Sequence, residues 1–280
     1  PEAGTPAADP SGAPDHNVPG EGPAGAVPEG EPSTLSGGSE QGRNVPNSPE
    51  DKPAHVGESG ENSYDFSQPA PESPAVDNTY FEDAAFVGDS RTDGFLLYSG
   101  IGTGTNLTSN GLSIFKLAEK KVITIDGTAY TLLEALELGE YGKVYLSLGV
   151  NELGYYNDEG FYQAYCDAID AIRACQPDAV IYIQGLIPLN ESVVAASGGP
   201  SYLTNEHLRV YNGLMQKAAE EKQVVFLDLY SEFANENGEL PEEASKDGVH
   251  LKSDYCKQWL EYLKVHTVDF ETLYPEGTET

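Results

Sequence analysis

Three cysteines in 280 residues are too few for a disulfide framework. Cys166 and Cys175 fall on one predicted helix, where a rise of ~1.5 Å per residue separates them by roughly 13 Å, too far to bridge. No apolar run approaches the ~20 residues that a membrane span needs. Basic residues are scarce, 15 against 46 acids, and the formal net charge is −31 at pH 7. That shortage argues against nucleic acid as a partner and against charge-driven adhesion to anionic lipid. It favours a neutral or zwitterionic substrate over a polyanion. Close His/Cys pairs of the kind zinc needs are missing, so no metal is expected. A Gly-Lys-Ser/Thr phosphate loop is missing too. Gly100-Ile-Gly102-Thr-Gly104 is glycine-rich, but Thr105 stands where a dinucleotide fingerprint needs its last glycine. The Gly-x-Ser-x-Gly elbow is likewise incomplete, with Thr92 in its final position.

Proline is scarce only after Pro74, with 14 of the 19 lying at or before it. The same stretch is rich in Gly, Ser, Ala and Glu and shows no apolar periodicity. Such composition cannot offset the entropy of ordering, so residues 1–77 are predicted to be a disordered linker or tether. The chain opens at Pro1 with no basic-then-apolar leader, which fits a secreted protein whose leader has been removed. Residues 78–270 have the opposite character and can close one core. Residues 271–280 are expected to be a flexible end.

Buried runs alternate with amphipathic stretches along the folded part. Strands are predicted at 84–88, 105–109, 143–148, 180–183 and 224–229, and a hairpin around Asp126-Gly127. Helices are predicted at 89–98, 132–138, 161–175, 203–221 and 253–265, with Thr204 and Ser253 as caps. Gly185 to Ser201 reads as a long loop and 231–246 as mostly irregular. Alternation of this kind argues for a parallel sheet with helices on both faces, and ligands bind at the carboxyl ends of such strands.

Ser90 sits where the apolar run Ala84–Gly88 stops and a helix starts. A serine hydroxyl needs a base, and the base needs an orienting group. Asp247-Gly248-Val249-His250 supplies an acid and an imidazole three residues apart. His16 and His55 lie in the Pro-rich stretch, and His207 and His266 fall on helices. His250 is therefore the candidate base and Asp247 its orienter, although Asp247 also reads as a helix-start acid. Acyl transfer further needs donors aimed at the oxyanion. The Ser90 N–H, the Gly111 N–H and the Asn151 side-chain amide are candidates. Gly111 equally reads as a turn residue and Asn151 as a loop asparagine.

Taken in order, Gly88-Asp89-Ser90, Asn110-Gly111, Gly149-Val150-Asn151-Glu152 and Asp247-Gly248-Val249-His250 resemble the motifs of the SGNH/GDSL hydrolase superfamily. They span nearly the whole folded region. The resemblance implies a flavodoxin-like three-layer α/β/α sandwich with a central parallel sheet. It also implies a nucleophile at Ser90, oxyanion donors at Gly111 and Asn151, the Asp247/His250 pair, and no cofactor. Two positions depart from the pattern: Arg91 stands where the family has Leu, and Glu152 where many members have Asp. Arg91 is a candidate contact for a substrate carboxylate, or a structural partner of Asp93, Asp89 or Glu152. Glu152, Tyr155 and Tyr156 are candidate pocket residues, and 186–202 a candidate substrate wall.

These observations predict a serine esterase of the bacterial exterior or cell surface, tethered through its N-terminal segment. The preferred substrates are O-acetyl or short acyl esters of carbohydrate. A lipase or lysophospholipase, and a non-catalytic glycan-binding module on the same fold, are the alternatives.

Overall fold

The computed structural model describes residues 64–275. The disorder expected of residues 1–63 and the flexible end expected at 276–280 lie outside the described residues.

In chain order the elements are β1 (Ala84–Gly88), α1 (Ser90–Tyr98), β2 (Thr105–Thr108), β3 (Ile123–Ile125), β4 (Thr128–Tyr130), α2 (Leu132–Leu136), β5 (Lys143–Ser147) and α3 (Asp158–Cys175). They continue with β6 (Val180–Gln184), α4 (Glu191–Ala196), α5 (Asn205–Lys222), β7 (Val225–Leu227), α6 (Leu229–Phe233), α7 (Ser253–Lys264) and α8 (Phe270–Leu273). The main sheet has the order β2-β1-β5-β6-β7, and every pair in it is parallel. This is the flavodoxin-like arrangement, with its switch in strand order between β1 and β5. Ser90 and Asn151 lie just past the carboxyl ends of those two strands. The separate β3-β4 hairpin turns at Asp126 and Gly127, both with positive φ, as the Asp-Gly signal predicts.

Two cores form because strand side chains alternate between faces. Val87, Leu146, Ile183 and Phe226 face one layer, where α3 and α5 contribute Phe161, Ile169, Leu208 and Met215. Phe86, Tyr145, Tyr182 and Leu227 face the other, against Phe95 of α1 and Trp259 and Leu263 of α7. Phe86, Tyr145 and Tyr182 are neighbours in register, and their rings stack across three strands with centroids 5.0 and 4.5 Å apart. Each such fully buried side chain contributes about 1.5–3 kcal/mol of burial free energy.

Four expectations are corrected. Residues 64–77 are not part of a loose tail. Ala70 is buried, its N–H donates to the Phe226 carbonyl on the edge strand β7, and the Ser73 and Val76 N–H groups reach Val265 and Lys264. The C-terminal end continues through α8, with Leu273 buried and the Tyr274 hydroxyl donating to the Gln223 carbonyl. The 185–201 loop contains α4, which Asn190 caps by accepting the Val193 N–H at 3.0 Å. Ser253 is not a cap; Lys252 holds that position without a side-chain bond, and Ser253 Oγ donates to the Tyr98 carbonyl.

Candidate active site

β1 ends at Gly88, where a Cβ would lie 2.1 Å from Thr92 Oγ1. Only glycine lets α1 begin so close to the strand. Asp89 caps that helix through Oδ1, which accepts the Arg91 N–H at 2.9 Å. Ser90 is thus the first residue of α1, half-buried at the carboxyl edge of the sheet.

His250 arrives on a tight turn of the distant segment before α7. Asp247 Oδ1 accepts the N–H groups of Val249 and His250, both at 2.9 Å. Gly248 has φ +82°, and a Cβ there would meet the Asn190 carbonyl at 2.4 Å. That carbonyl belongs to the start of α4, and the Asn190 N–H donates to the Gly248 carbonyl at 3.0 Å. The turn is therefore seated on α4 by backbone contacts.

These two segments meet. Ser90 Oγ lies 2.8 Å from His250 Nε2, and His250 Nδ1 lies 2.7 Å from Asp247 Oδ2. A carboxylate can only accept, so Nδ1 carries the proton and Nε2 is left to accept from the Ser90 hydroxyl. Burial alone would raise the Asp247 pKa. The His250 N–H, the imidazole and the Val249 N–H outweigh it and hold the carboxyl well below the usual carboxylate range. Asp247 thus accepts backbone N–H groups on Oδ1 and faces the imidazole with Oδ2.

Asn151 stands on the short turn after β5. Its Nδ2 lies 3.2 Å from the Leu112 carbonyl and 3.4 Å from Asp89 Oδ2. The amide is thereby brought beside the residue preceding Ser90, and its longer, weaker bond to Asp89 is the one an oxyanion could replace. Gly111 lies one residue before that carbonyl, in an exposed turn with φ +70°, and among the described residues its N–H has no hydrogen-bond partner. Asp89 is almost fully buried, and burial pushes its pKa up against the Arg91 N–H, the guanidinium and the imidazole.

The pocket candidates separate. Arg91 is buried, and its guanidinium donates to the Ile187 carbonyl at 3.0 Å and the Pro188 carbonyl at 3.4 Å. It braces the loop after β6 rather than facing open cleft, and it makes no ion pair with Asp93, Asp89 or Glu152. Glu152 is buried, with Oε1 accepting the Ile114 N–H at 2.7 Å. Tyr155 and Tyr156 are exposed, Tyr155 against Phe115 and Tyr156 stacked on His207. Tyr202, from the 186–202 segment, is also exposed, and its ring lies 3.2 Å from where a Gly154 Cβ would be.

Sequence reasoning missed the supports. Ser245 Oγ accepts the Gly248 N–H at 2.9 Å and lies 2.7 Å from the His250 carbonyl and 3.0 Å from Asp247 Oδ1. Tyr98 and Leu251 line an open cleft of about 420 Å³ beside His250, with Lys246 at its edge. A serine two residues before an Asp-Gly turn was the available signal for Ser245; nothing in the sequence marked Tyr98. Among the described residues no group of three or more His, Cys, Asp or Glu side chains could hold a metal ion.

A doubly wound sheet with a serine, an imidazole and amide donors at its switch point is the layout of an acyl-ester hydrolase. Residues 86–254 match the family model of the GDSL-like lipases and acylhydrolases, and the chain belongs to that family of carboxylic ester hydrolases. No curated protein matches the chain. Among solved structures it is similar to a Streptococcus pneumoniae protein described as a platelet activating factor, with 22% identity and a TM-score of 0.53, covering 71% of this chain and 85% of that one. It is similar also to a Bacteroides fragilis protein described as an acylhydrolase, with 14% identity and a TM-score of 0.50, covering 69% and 88%. A Parabacteroides merdae protein described as a GDSL-like lipase shows 16% identity and a TM-score of 0.50, covering 69% and 98%. At these identities the structures share the fold.

Proposed function

We propose that the chain is a serine esterase working through an acyl-enzyme, with small acyl groups on carbohydrate as its substrates. The contiguous Ser90–His250–Asp247 relay, with contacts of 2.8 and 2.7 Å, carries the reading. His250 Nε2 takes the Ser90 proton as Oγ bonds to the ester carbonyl carbon. Asp247 holds the imidazolium that results. The Ser90 and Gly111 N–H groups and the Asn151 amide receive the charge on the carbonyl oxygen. The tetrahedral adduct collapses by breaking the bond to the alkoxy oxygen, which takes the proton from Nε2. Water then attacks the acyl-Ser90 carbonyl and gives its proton to His250. Oγ departs, regains that proton, and the carboxylic acid leaves.

Three observations support a small acyl group on a sugar. The cleft beside His250 is open, with a volume of about 420 Å³. Tyr155, Tyr156 and Tyr202 expose aromatic faces near the Asn151 turn. The acidic chain disfavours polyanions. The Pro-, Gly- and Ser-rich N-terminal composition supports a surface attachment outside the cytoplasm.

The test uses the full chain on p-nitrophenyl esters from acetate to decanoate, and on acetylated oligosaccharides. Acetate and acetylated sugars should be preferred, and Ser90→Ala should lower kcat by at least about 10³. Preference for decanoate would favour a lipase. Equal rates for Ser90→Ala and wild type, with no labelling of Ser90 by a fluorophosphonate, would leave only a binding module.

A further inference from the structure

Glu152 is a buried acid that the reaction above does not use. Its side chain crosses from the turn after β5 to the loop that carries Gly111. Oε1 accepts the Ile114 N–H at 2.7 Å, and one residue earlier Asn151 Nδ2 holds the Leu112 carbonyl at 3.2 Å. The two adjacent side chains therefore clasp the 111–114 loop at both a donor and an acceptor. The turn itself is held by the Tyr211 hydroxyl, which lies 2.6 Å from the Tyr155 carbonyl and 2.9 Å from the Glu152 carbonyl. Gly111 and Asn151, the two oxyanion donors outside the nucleophile's own residue, are thus tied to each other through Glu152.

The second carboxyl oxygen makes this arrangement unusual. Oε2 is buried and, among the described residues, has no hydrogen-bond partner. A buried carboxylate oxygen left unpaired carries a large desolvation cost, whereas a carboxylic acid in the same place is neutral. We propose that Glu152 is a positioning residue that sets the oxyanion donors while it is the neutral acid, and that its ionisation disables them. This rests on the esterase reading above.

The surroundings agree. Burial pushes the Glu152 pKa up to about 7; the nearby Ser113 hydroxyl and the Ile114 N–H oppose the shift, and the Asp89 carboxyl adds to it. The titratable groups facing Glu152 are Asp89 at the β1–α1 junction, Tyr165 on α3 and Tyr211 on α5. None is a cation. The Arg91 guanidinium gives its Nη1 and Nη2 protons to the Ile187 and Pro188 carbonyls. Ionised Glu152 would place an unpaired negative charge one residue from Asn151, the amide asked to stabilise a developing negative charge. Oxyanion donors contribute about 10²–10³ in rate, so even partial misplacement is measurable.

The consequence is a falling limb in the pH profile, as Glu152 loses its proton. The experiment measures kcat and KM for p-nitrophenyl acetate from about pH 5 to about pH 9, with wild type, Glu152→Gln and Glu152→Ala as full chains. Glu152→Gln keeps an oxygen acceptor for Ile114 and cannot ionise. It should hold kcat within about threefold of wild type near pH 6 and lose the falling limb. Glu152→Ala should lower kcat by at least about tenfold at every pH, with a smaller change in KM. A second readout needs no turnover. The infrared C=O band of a protonated carboxyl should be present near pH 6, fade by about pH 8.5, and be absent from Glu152→Gln. A falling limb that persists in Glu152→Gln, or identical infrared titrations of the two proteins, overturns the proposal. Absence of Ser90-dependent turnover in wild type would instead sink the esterase reading, and the infrared titration would still decide whether Glu152 is held neutral.

Discussion

Asp247→Asn is the most discriminating substitution at the relay, because it separates the two duties of one side chain. Asparagine keeps an oxygen where Oδ1 accepts the Val249 and His250 N–H groups, so the turn should survive. It puts an NH₂ where Oδ2 now faces His250 Nδ1 at 2.7 Å. Nδ1 must then accept, the ring proton moves to Nε2, and Nε2 can no longer take the Ser90 proton. In a buried triad this exchange lowers kcat by about 10⁴. The His250 and Asp247 side chains are 49% and 46% exposed, so water can supply part of what the carboxylate did. A loss of about 10²–10³ in kcat is expected, or about 3–4 kcal/mol of transition-state stabilisation. The assay is kcat for p-nitrophenyl acetate near pH 7.5, beside a thermal melt that should move by less than about 4 °C. Acid stability gives an independent reading. The folded Asp247 pKa lies below the unfolded value of about 3.9, so its contribution is complete above that pH and fades as pH falls further. The Asn variant should lack that part of the acid sensitivity. A variant within about threefold of wild-type kcat, with an unchanged melt, would refute the assignment of Asp247 to His250.

Gly248→Ala should cost stability and activity together. Its φ of +82° is unfavourable for alanine by about 1–2 kcal/mol, and the new methyl would lie 2.4 Å from a backbone oxygen of Asn190. A fall in Tm of at least about 5 °C and a lower kcat are expected, and a wild-type melt would show that the turn moves freely. Trp259→Phe should cost stability alone. It removes the 2.8 Å bond from the indole N–H to Gln184 Oε1, in a core where Gln184 Nε2 already lacks a partner. Chemical denaturation should show a loss of about 1–3 kcal/mol with kcat unchanged, and a stability equal to wild type would mean that the Gln184 amide repacks.

The layers of the fold were legible where side-chain type is dictated by burial. Val87, Leu146 and Ile183 sit in uninterrupted apolar runs because both faces of a parallel strand are covered. The N-terminal boundary was not legible. Pro69, Pro71 and Pro74 were read as marks of disorder, yet this segment runs beside the edge strand β7, where a backbone without a regular ladder is tolerated. Ala70 alone donates to Phe226, while Tyr64 and Phe66 pack outside any periodic pattern. The helix α4 escaped because six residues between Asn190 and Ser197 are too few to show a period. It is set by its cap and by the Gly248 turn that packs on it.

At the site, the division between legible and hidden residues follows what each side chain is asked to touch. The proposed relay of Ser90, His250 and Asp247 needs a hydroxyl, an imidazole and an acid, so residue type points to them. Arg91, Asn190 and Ser245 act on backbone atoms: the Ile187 and Pro188 carbonyls, the Leu240 carbonyl and the Gly248 N–H. Many side chains can satisfy a carbonyl or an N–H, so type alone does not single these out. Arg91 shows the consequence. Its place beside Ser90 suggested a substrate contact, but it is buried and turned inward, onto the loop that leads to Asn190. Asn190 then bonds Gly248 and so reaches the His250 turn. Backbone contacts thereby join the residue after Ser90 to the turn that carries His250, beside the direct Ser90–His250 bond.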